Sequence, residues 1–305
     1  MDDDYYRFED IDKLERKIAL VTGANSGIGL EVTKKLISKG VTVIMACRNL
    51  TSATEAKEEL LEEFPSGKIE ILSLNLSSID SIYQFSSNVE KRYDRIDFLI
   101  NNAGIMIPPF QVVYDDVESQ LGVNYLSHFL LTHLLFPLIE NAPEGRIVQL
   151  SSIAHKRGDC HWNQYNRPNK YDAIKAYGQS KLACLVFAYE LQRRLTQKRS
   201  HVKSFAAHPG VSSTNLFNHI GGVRKLFLLL FGHFIFQDAE RGAEPILRAI
   251  LDSYIAPGSY LGPKNFREFR GAPVVVDSSK RSKEAKAALD LWRWSEEKLG
   301  IKFFA

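Results

Sequence analysis

The sequence predicts a single α/β domain: a doubly wound parallel sheet of about seven strands with helices on both faces. Three observations carry this. Short apolar runs alternate with helical stretches from residue 17 to residue 261 without a linker, a glycine turn joins the first run to the first helix, and the chain is long enough for a sizeable core, with 305 residues of which 45% are hydrophobic. Strands joined by helical crossovers run parallel, and right-handed crossovers place helices on both faces.

Taken in order, candidate strands fall at 17–22, 41–47, 68–74, 96–100, 146–151, 202–207 and 258–261. Helical patterns lie between them at 27–39, 52–64, 78–93, 117–140, 173–198 and 238–252. The first helix shows Ile28, Val32, Leu36 and Ile37 on one face and stops at Gly40. Ser52 to Glu55 reads Ser-Ala-Thr-Glu, a capping box opening the second helix, and Phe64-Pro-Ser-Gly67 ends it. Residues 1–15 form an acidic N-terminal extension and 16–268 the main domain. Residues 269–305 form an extension with a helix near 279–299, packed on the same domain through Leu289, Trp292 and Leu299.

Composition narrows the function. A formal net charge of +3, with no basic stretch interleaved with aromatics, argues against nucleic-acid binding. Cys47, Cys160 and Cys184 show no paired spacing, so neither a disulfide framework nor a metal site is expected, and His155, Cys160 and His161 do not change that. The N-terminus shows neither a secretory signal nor a transmembrane anchor, so a cytoplasmic location is expected.

Two patterns carry chemistry. Gly23-Ala-Asn-Ser-Gly27-Ile-Gly29 lies between a strand and a helix, the context in which glycines admit a pyrophosphate and a helix N-terminus supplies amide donors. A tight turn without a ligand is the competing reading. Tyr177 and Lys181 are four residues apart, hence neighbours on one helix face. A fixed cation favours a phenolate, which makes a tyrosine a usable proton donor and acceptor.

Six segments in order, covering roughly 16–263, make the chain resemble the short-chain dehydrogenase/reductase family, in particular its retinol-dehydrogenase-like branch. They are Thr22 to Gly29, Asn101-Asn-Ala-Gly104, Val123 to Phe129, Val148 to His155, Tyr177-x-x-x-Lys181 and His208-Pro-Gly210. The resemblance implies a Rossmann-like fold and a catalytic set of Asn124, Ser152, Tyr177 and Lys181. Ser152 is preferred to Ser151 because it matches the family's serine, and Asn124 is the family residue thought to hold a water linking the lysine to solvent. It also implies cofactor contacts from Gly23, Asn25, Ser26, Gly27, Ile28 and Gly29, from Asn75 and Leu76, from Asn102, Ala103 and Gly104, from Tyr177 and Lys181, and from Pro209, Gly210, Val211 and Thr214.

The second strand ends Ala46-Cys47-Arg48. Cys47 stands where an NAD-type acidic residue would sit, and Arg48 suits an added phosphate, so NADP(H) is favoured over NAD(H). Asn75 departs from the family's aspartate; its amide oxygen can accept from an adenine amine, or it is a plain turn residue. The expected reaction interconverts a small lipophilic alcohol and its aldehyde or ketone. The alternatives are a non-catalytic dinucleotide-binding regulatory protein and a reductase of carbon–carbon double bonds. The apolar run 226–236 is too short to span a bilayer. Its position after Thr214 matches the family's substrate-covering segment, so the resemblance implies a substrate lid near 211–237 as the first reading, with peripheral membrane contact and core packing as the others. A homodimer is compatible with the family.

Overall fold

The computed structural model of the chain describes residues 6–210 and 238–304. The run 226–236, together with Val211 and Thr214, lies outside the described residues.

Among the described residues the main sheet holds eight strands. In chain order the first four are β1 (Ile18–Thr22), β2 (Thr42–Cys47), β3 (Lys68–Ser73) and β4 (Phe98–Asn101). A separate two-stranded ribbon, β5 (Val112–Val113) and β6 (Val117–Glu118), intervenes before β7 (Arg146–Leu150), β8 (Lys203–Ala207), β9 (Tyr260–Asn265) and β10 (Arg270–Val275). The main sheet runs β10-β9-β8-β7-β4-β1-β2-β3. All its pairings are parallel except β10 on β9. The eighth, β10, has no counterpart among the seven candidate strands. Gly271 and Pro273 hide it, since proline cannot donate to a ladder and is tolerated at an edge, which is where β10 lies.

Among the described residues the α-helices are α1 (Gly27–Ser38), α2 (Leu50–Glu63), α3 (Ile79–Glu90), α4 (Ser119–Leu121), α5 (Ser127–Glu140), α6 (Ala173–Gln197), α7 (Ala239–Leu251) and α8 (Ala285–Leu299). On one face of the sheet, Val32 and Leu36 of α1, Leu60 of α2 and Ile246 of α7 share a core with Val21 and Val43. On the other, Ile82 of α3, Phe129 of α5 and Leu191 of α6 close over Leu20 and Leu99. Burial on both sides is why the strands read as continuous apolar runs.

Helix ends follow local chemistry. Gly40, with φ +85°, ends α1: its amide bonds the Ile37 carbonyl at 2.9 Å and the Val41 amide bonds that of Leu36 at 3.1 Å. The expected capping box at Ser52 is not the start of α2. Asn49 is the N-cap, its side chain accepting from the Ser52 amide at 3.2 Å, because an asparagine three residues upstream reaches that donor first.

The C-terminal segment packs on the domain, but its helix begins at Ala285, after a short 3-10 turn over Lys280–Lys283. Its buried side is Ala287, Ala288, Leu291, Trp292 and Ser295, whereas Leu289 and Leu299 are half-buried. Trp292 and Phe303 each sit 5.1 Å from the Phe129 ring, so aromatic rings fasten α8 over α5. Helical structure from Ser119 to Glu140 is long and apolar enough to cross a membrane by composition, yet 83% of its apolar window is buried inside the protein.

Candidate active site

Strand order reverses at β1: β2 lies on one side and β4 on the other, and their crossovers leave on opposite faces. A crevice at the carboxyl ends of strands is the expected outcome at such a point. A cavity of about 890 Å³ opens there, lined by the glycine turn, the ends of β2, β3, β4 and β7, and the start of α6.

The glycine turn is built for close approach. Gly23 and Gly27 adopt left-handed φ of +64° and +54°. A Cβ on Gly29 would lie 2.3 Å from the Gly23 carbonyl oxygen, so only glycine fits where α1 meets the turn. Ser26, the N-cap of α1, is extended and makes no side-chain capping bond, so the first-turn amides of α1, whose residues line the cavity, are left without a side-chain cap. Asn25 Nδ2 donates to Ser52 Oγ at 2.6 Å, tying the turn to α2. Beside it, burial pushes the Cys47 thiol up to about 11, against the pull of the Ala24 and Asn25 amides. Arg48 is exposed at the cavity rim next to Asn49.

Asn102 lines the cavity floor, and the buried Thr22 holds it in place. Thr22 Oγ1 accepts from the amides of Asn102 and Ala103, both at 2.9 Å, and Asn102 Nδ2 donates to the Thr22 carbonyl at 2.8 Å. The end of β4 is thereby clamped to the glycine turn. Gly104 follows, so close to the next layer that a Cβ would lie 3.1 Å from Asn124 Oδ1 and 3.4 Å from Lys181 Nζ. Asn75 also lines the cavity, where its Oδ1 accepts from the Ser77 amide at 3.1 Å, forming a turn through its own side chain.

Asn124 stands behind the wall rather than on it. It lies in a single π-helical turn, Gly122–Leu126, between α4 and α5; such turns often mark functional sites. Its side chain is committed to protein: Oδ1 accepts from the Ile105 amide at 2.8 Å, while Nδ2 donates to the Ile105 carbonyl at 3.0 Å and to Ser180 Oγ at 2.9 Å.

Ser152, Tyr177 and Lys181 face the same cavity. Lys181 is only 4% exposed; its Nζ donates to the Leu150 carbonyl at 2.9 Å and lies 5.9 Å from the centroid of the Tyr177 ring. The two neighbouring serines differ. Ser151 Oγ, buried, donates to the Lys181 carbonyl at 2.7 Å. Ser152 Oγ accepts from the Ala154 amide at 3.1 Å, and among the described residues its own proton is uncommitted.

Beyond them the cavity turns apolar, with Ile105, Met106, Ile107, Ile153, Ile174 and Phe269 as walls and Arg157 among them. Sequence reasoning missed this wall because its residues come from separate loops. Phe269 arrives through the β9–β10 hairpin, where Phe266, Arg267 and Glu268 all take left-handed φ of +52°, +57° and +70°. Three such non-glycine residues in a row are strained, and the strain sits at the cavity. The hairpin is held from below: Glu268 lies 3.0 Å from Lys156 Nζ and 3.2 Å from His208 Nε2. Burial alone would raise the Glu268 carboxyl, but these two neighbours hold it below its usual range. Pro209 and Gly210 line the cavity beside it, and a Cβ on Gly210 would meet the Phe269 carbonyl oxygen at 2.4 Å.

Comparison with known proteins shows the family. The short chain dehydrogenase family model matches residues 17–222. The chain belongs to the short-chain dehydrogenase family. Human retinol dehydrogenase 12 is 34% identical over 291 residues, covering 95% of this chain and 89% of that protein. The chloroplastic short-chain dehydrogenase TIC 32 A of Brassica napus is 38% identical over 264 residues, covering 81% of this chain and 82% of its own. Among solved structures, an uncharacterized protein from Mycobacterium paratuberculosis superposes with a TM-score of 0.81 at 34% identity, over 98% of this chain and 99% of that one. Membership makes the protein an oxidoreductase acting on CH–OH or C=O groups with NAD(P).

Proposed function

We propose that the protein interconverts a lipophilic alcohol and its aldehyde or ketone with NADP(H), using Tyr177 as general acid/base. The observation that carries the reading is the meeting, in one cavity, of the uncapped glycine turn, Ser152, and Tyr177 above the buried Lys181 ammonium. The residues fit a dinucleotide: Gly23 and Ser26 to Gly29 line the cavity, and no side chain caps the first-turn amides of α1 there. Arg48 at the rim supports the preference for a cofactor bearing a 2′-phosphate.

A bound reduced nicotinamide would supply the hydride to the carbonyl carbon. The chain's residues handle the oxygen. Ser152 turns its uncommitted hydroxyl proton toward it, and Tyr177 gives up its phenolic proton as negative charge develops. Lys181, fixed by the Leu150 carbonyl, stabilises the phenolate left behind. Asn124 supports the same layer by holding Ile105 and Ser180 in place. In alcohol oxidation the proton moves the other way.

The apolar wall from Ile105 to Ile107, with Ile153, Ile174 and Phe269, favours an apolar substrate body, as does similarity to a retinol dehydrogenase. A cytoplasmic location and a homodimer belong to the same reading and rest on the sequence alone, as does 226–236 as a lid first and a peripheral membrane contact second. The test is NADPH consumption over a panel of retinal, steroid ketones, aliphatic aldehydes and quinones. Turnover concentrated on bulky apolar carbonyls supports the reading; no turnover with any member, despite NADPH binding, would leave a dinucleotide-binding protein instead.

A further inference from the structure

A buried histidine joins the two halves of this site, and no step of the proposed reaction uses it. His128 of α5 is 1% exposed. Its Nδ1 lies 3.0 Å from the Asn124 carbonyl oxygen and its Nε2 lies 3.0 Å from Thr22 Oγ1. A carbonyl oxygen only accepts, so Nδ1 must carry a proton, and in a neutral ring Nε2 is then the acceptor. Thr22 Oγ1 already accepts from the amides of Asn102 and Ala103. Its own proton therefore goes to Nε2, since the other acceptor within reach, the Ile100 carbonyl, is farther at 3.4 Å. A doubly protonated ring would bring a third donor to that hydroxyl oxygen. Burial keeps the ring neutral by pushing its pKa down to about 4, and the nearby Lys181 charge acts in the same direction.

We propose that His128 is a positioning residue, held as the Nδ1–H tautomer, that sets Asn124 and the Asn102–Ile105 segment in register against Lys181. The proposal rests on the oxidoreductase reading above for its kinetic consequence, but not for the tautomer. The chain of contacts is continuous. Thr22 holds the amides that shape the cofactor floor, His128 couples Thr22 to Asn124, and the Asn124 side chain grips Ile105 and Ser180, next to Lys181. Gly104 lies between these groups, where a Cβ would press on Asn124 Oδ1 at 3.1 Å and touch Lys181 Nζ at 3.4 Å. A small shift of Asn124 therefore moves the residues that set the Tyr177–Lys181 geometry, and catalysis is sensitive to displacements of this size.

Two measurements test it. In protein carrying ¹⁵N-labelled histidine, with the His128 signals assigned by their loss in His128→Asn, the ring should show a protonated Nδ1 and a bare Nε2, unchanged from pH 7.5 to 5.5. An Nε2–H tautomer, or a ring that gains its second proton in that interval, overturns the proposal. Kinetically, His128→Phe removes both contacts, while His128→Asn keeps a donor at the Nδ1 position but loses more volume. Positioning predicts that His128→Phe lowers kcat at least about tenfold with carbonyl KM changed less than about threefold, and that His128→Asn recovers part of kcat despite a lower Tm. A lower Tm in both variants with kcat intact would reduce His128 to packing and overturn the proposal. If the wild-type protein turns over no carbonyl, the oxidoreductase reading fails, and the tautomer measurement still decides the arrangement around His128.

Discussion

Lys181 Nζ lies 5.9 Å from the centre of the Tyr177 ring while donating to the Leu150 carbonyl at 2.9 Å. An ammonium held by a strand carbonyl cannot swing away, so the cation beside the phenol is fixed by the sheet and does not depend on a surface rotamer. Lys181→Ala should then lower both turnover and NADPH affinity, because the same charge serves the phenol and faces the cofactor cavity. Loss of turnover at unchanged NADPH affinity would restrict its role to the phenol.

Arg48 should decide cofactor choice. A charge-assisted hydrogen bond contributes roughly 1.5–3 kcal/mol, which corresponds to about 10- to 150-fold in affinity. Arg48→Ala should weaken NADPH binding by that factor and leave NADH nearly unchanged. Fluorescence titration of both cofactors checks it, and equal affinities in the wild-type protein would remove the assignment.

Gly29 should tolerate no side chain. The added Cβ of Gly29→Ala would sit 2.3 Å from the Gly23 carbonyl oxygen, a backbone atom that cannot step aside alone. Overpacking of this kind costs about 1–3 kcal/mol, so Tm should fall by several degrees, and the shifted turn should bind NADPH at least about tenfold more weakly. A crystal structure or titration showing an intact turn with normal affinity would count against the role given to the turn.

Stability should fall in mild acid. Burial lowers the pKa of both His128 and His155 to about 4, whereas in the unfolded chain each titrates near ~6.5. Below that value the unfolded state binds protons the folded state refuses. Stability is therefore full above ~6.5, falls as pH drops toward about 4 and levels off below, for these two groups. At pH 5 the loss is at most about 2 kcal/mol per ring. Thermal melts from pH 7.5 to 4.5 should show the decline, and a flat Tm over that interval would contradict the neutral buried rings.

Much of this was legible in the sequence because it is local. The alternation of strands and helices, the glycine turn and the spacing of Tyr177 and Lys181 each depend on residues near one another along the chain. What escaped notice depends on distant partners. Thr22 reads as the last residue of a strand, and only the fold brings it to Asn102, 80 positions away. Nothing in Gly122–Leu126 signals a π-helical turn, and β10 is masked by Gly271 and Pro273. Phe269 and Arg157 reach the cavity from a hairpin and a short turn whose paths are set by packing. The start of α2 was a nearer miss: Asn49 and Ser52 are both capping residues, and the structure selects the first.

The most direct test of the account is single-turnover and steady-state reduction of an active carbonyl by Tyr177→Phe, with NADPH affinity measured on the same preparation. The substitution keeps the ring above Lys181 and removes only the hydroxyl. With Tyr177 as the general acid, kcat should fall about 100-fold or more with NADPH affinity within about twofold of wild type, since a general acid contributes about 10²–10⁴ in rate. Turnover retained within about tenfold of wild type would mean that another group delivers the proton, and would contradict that role.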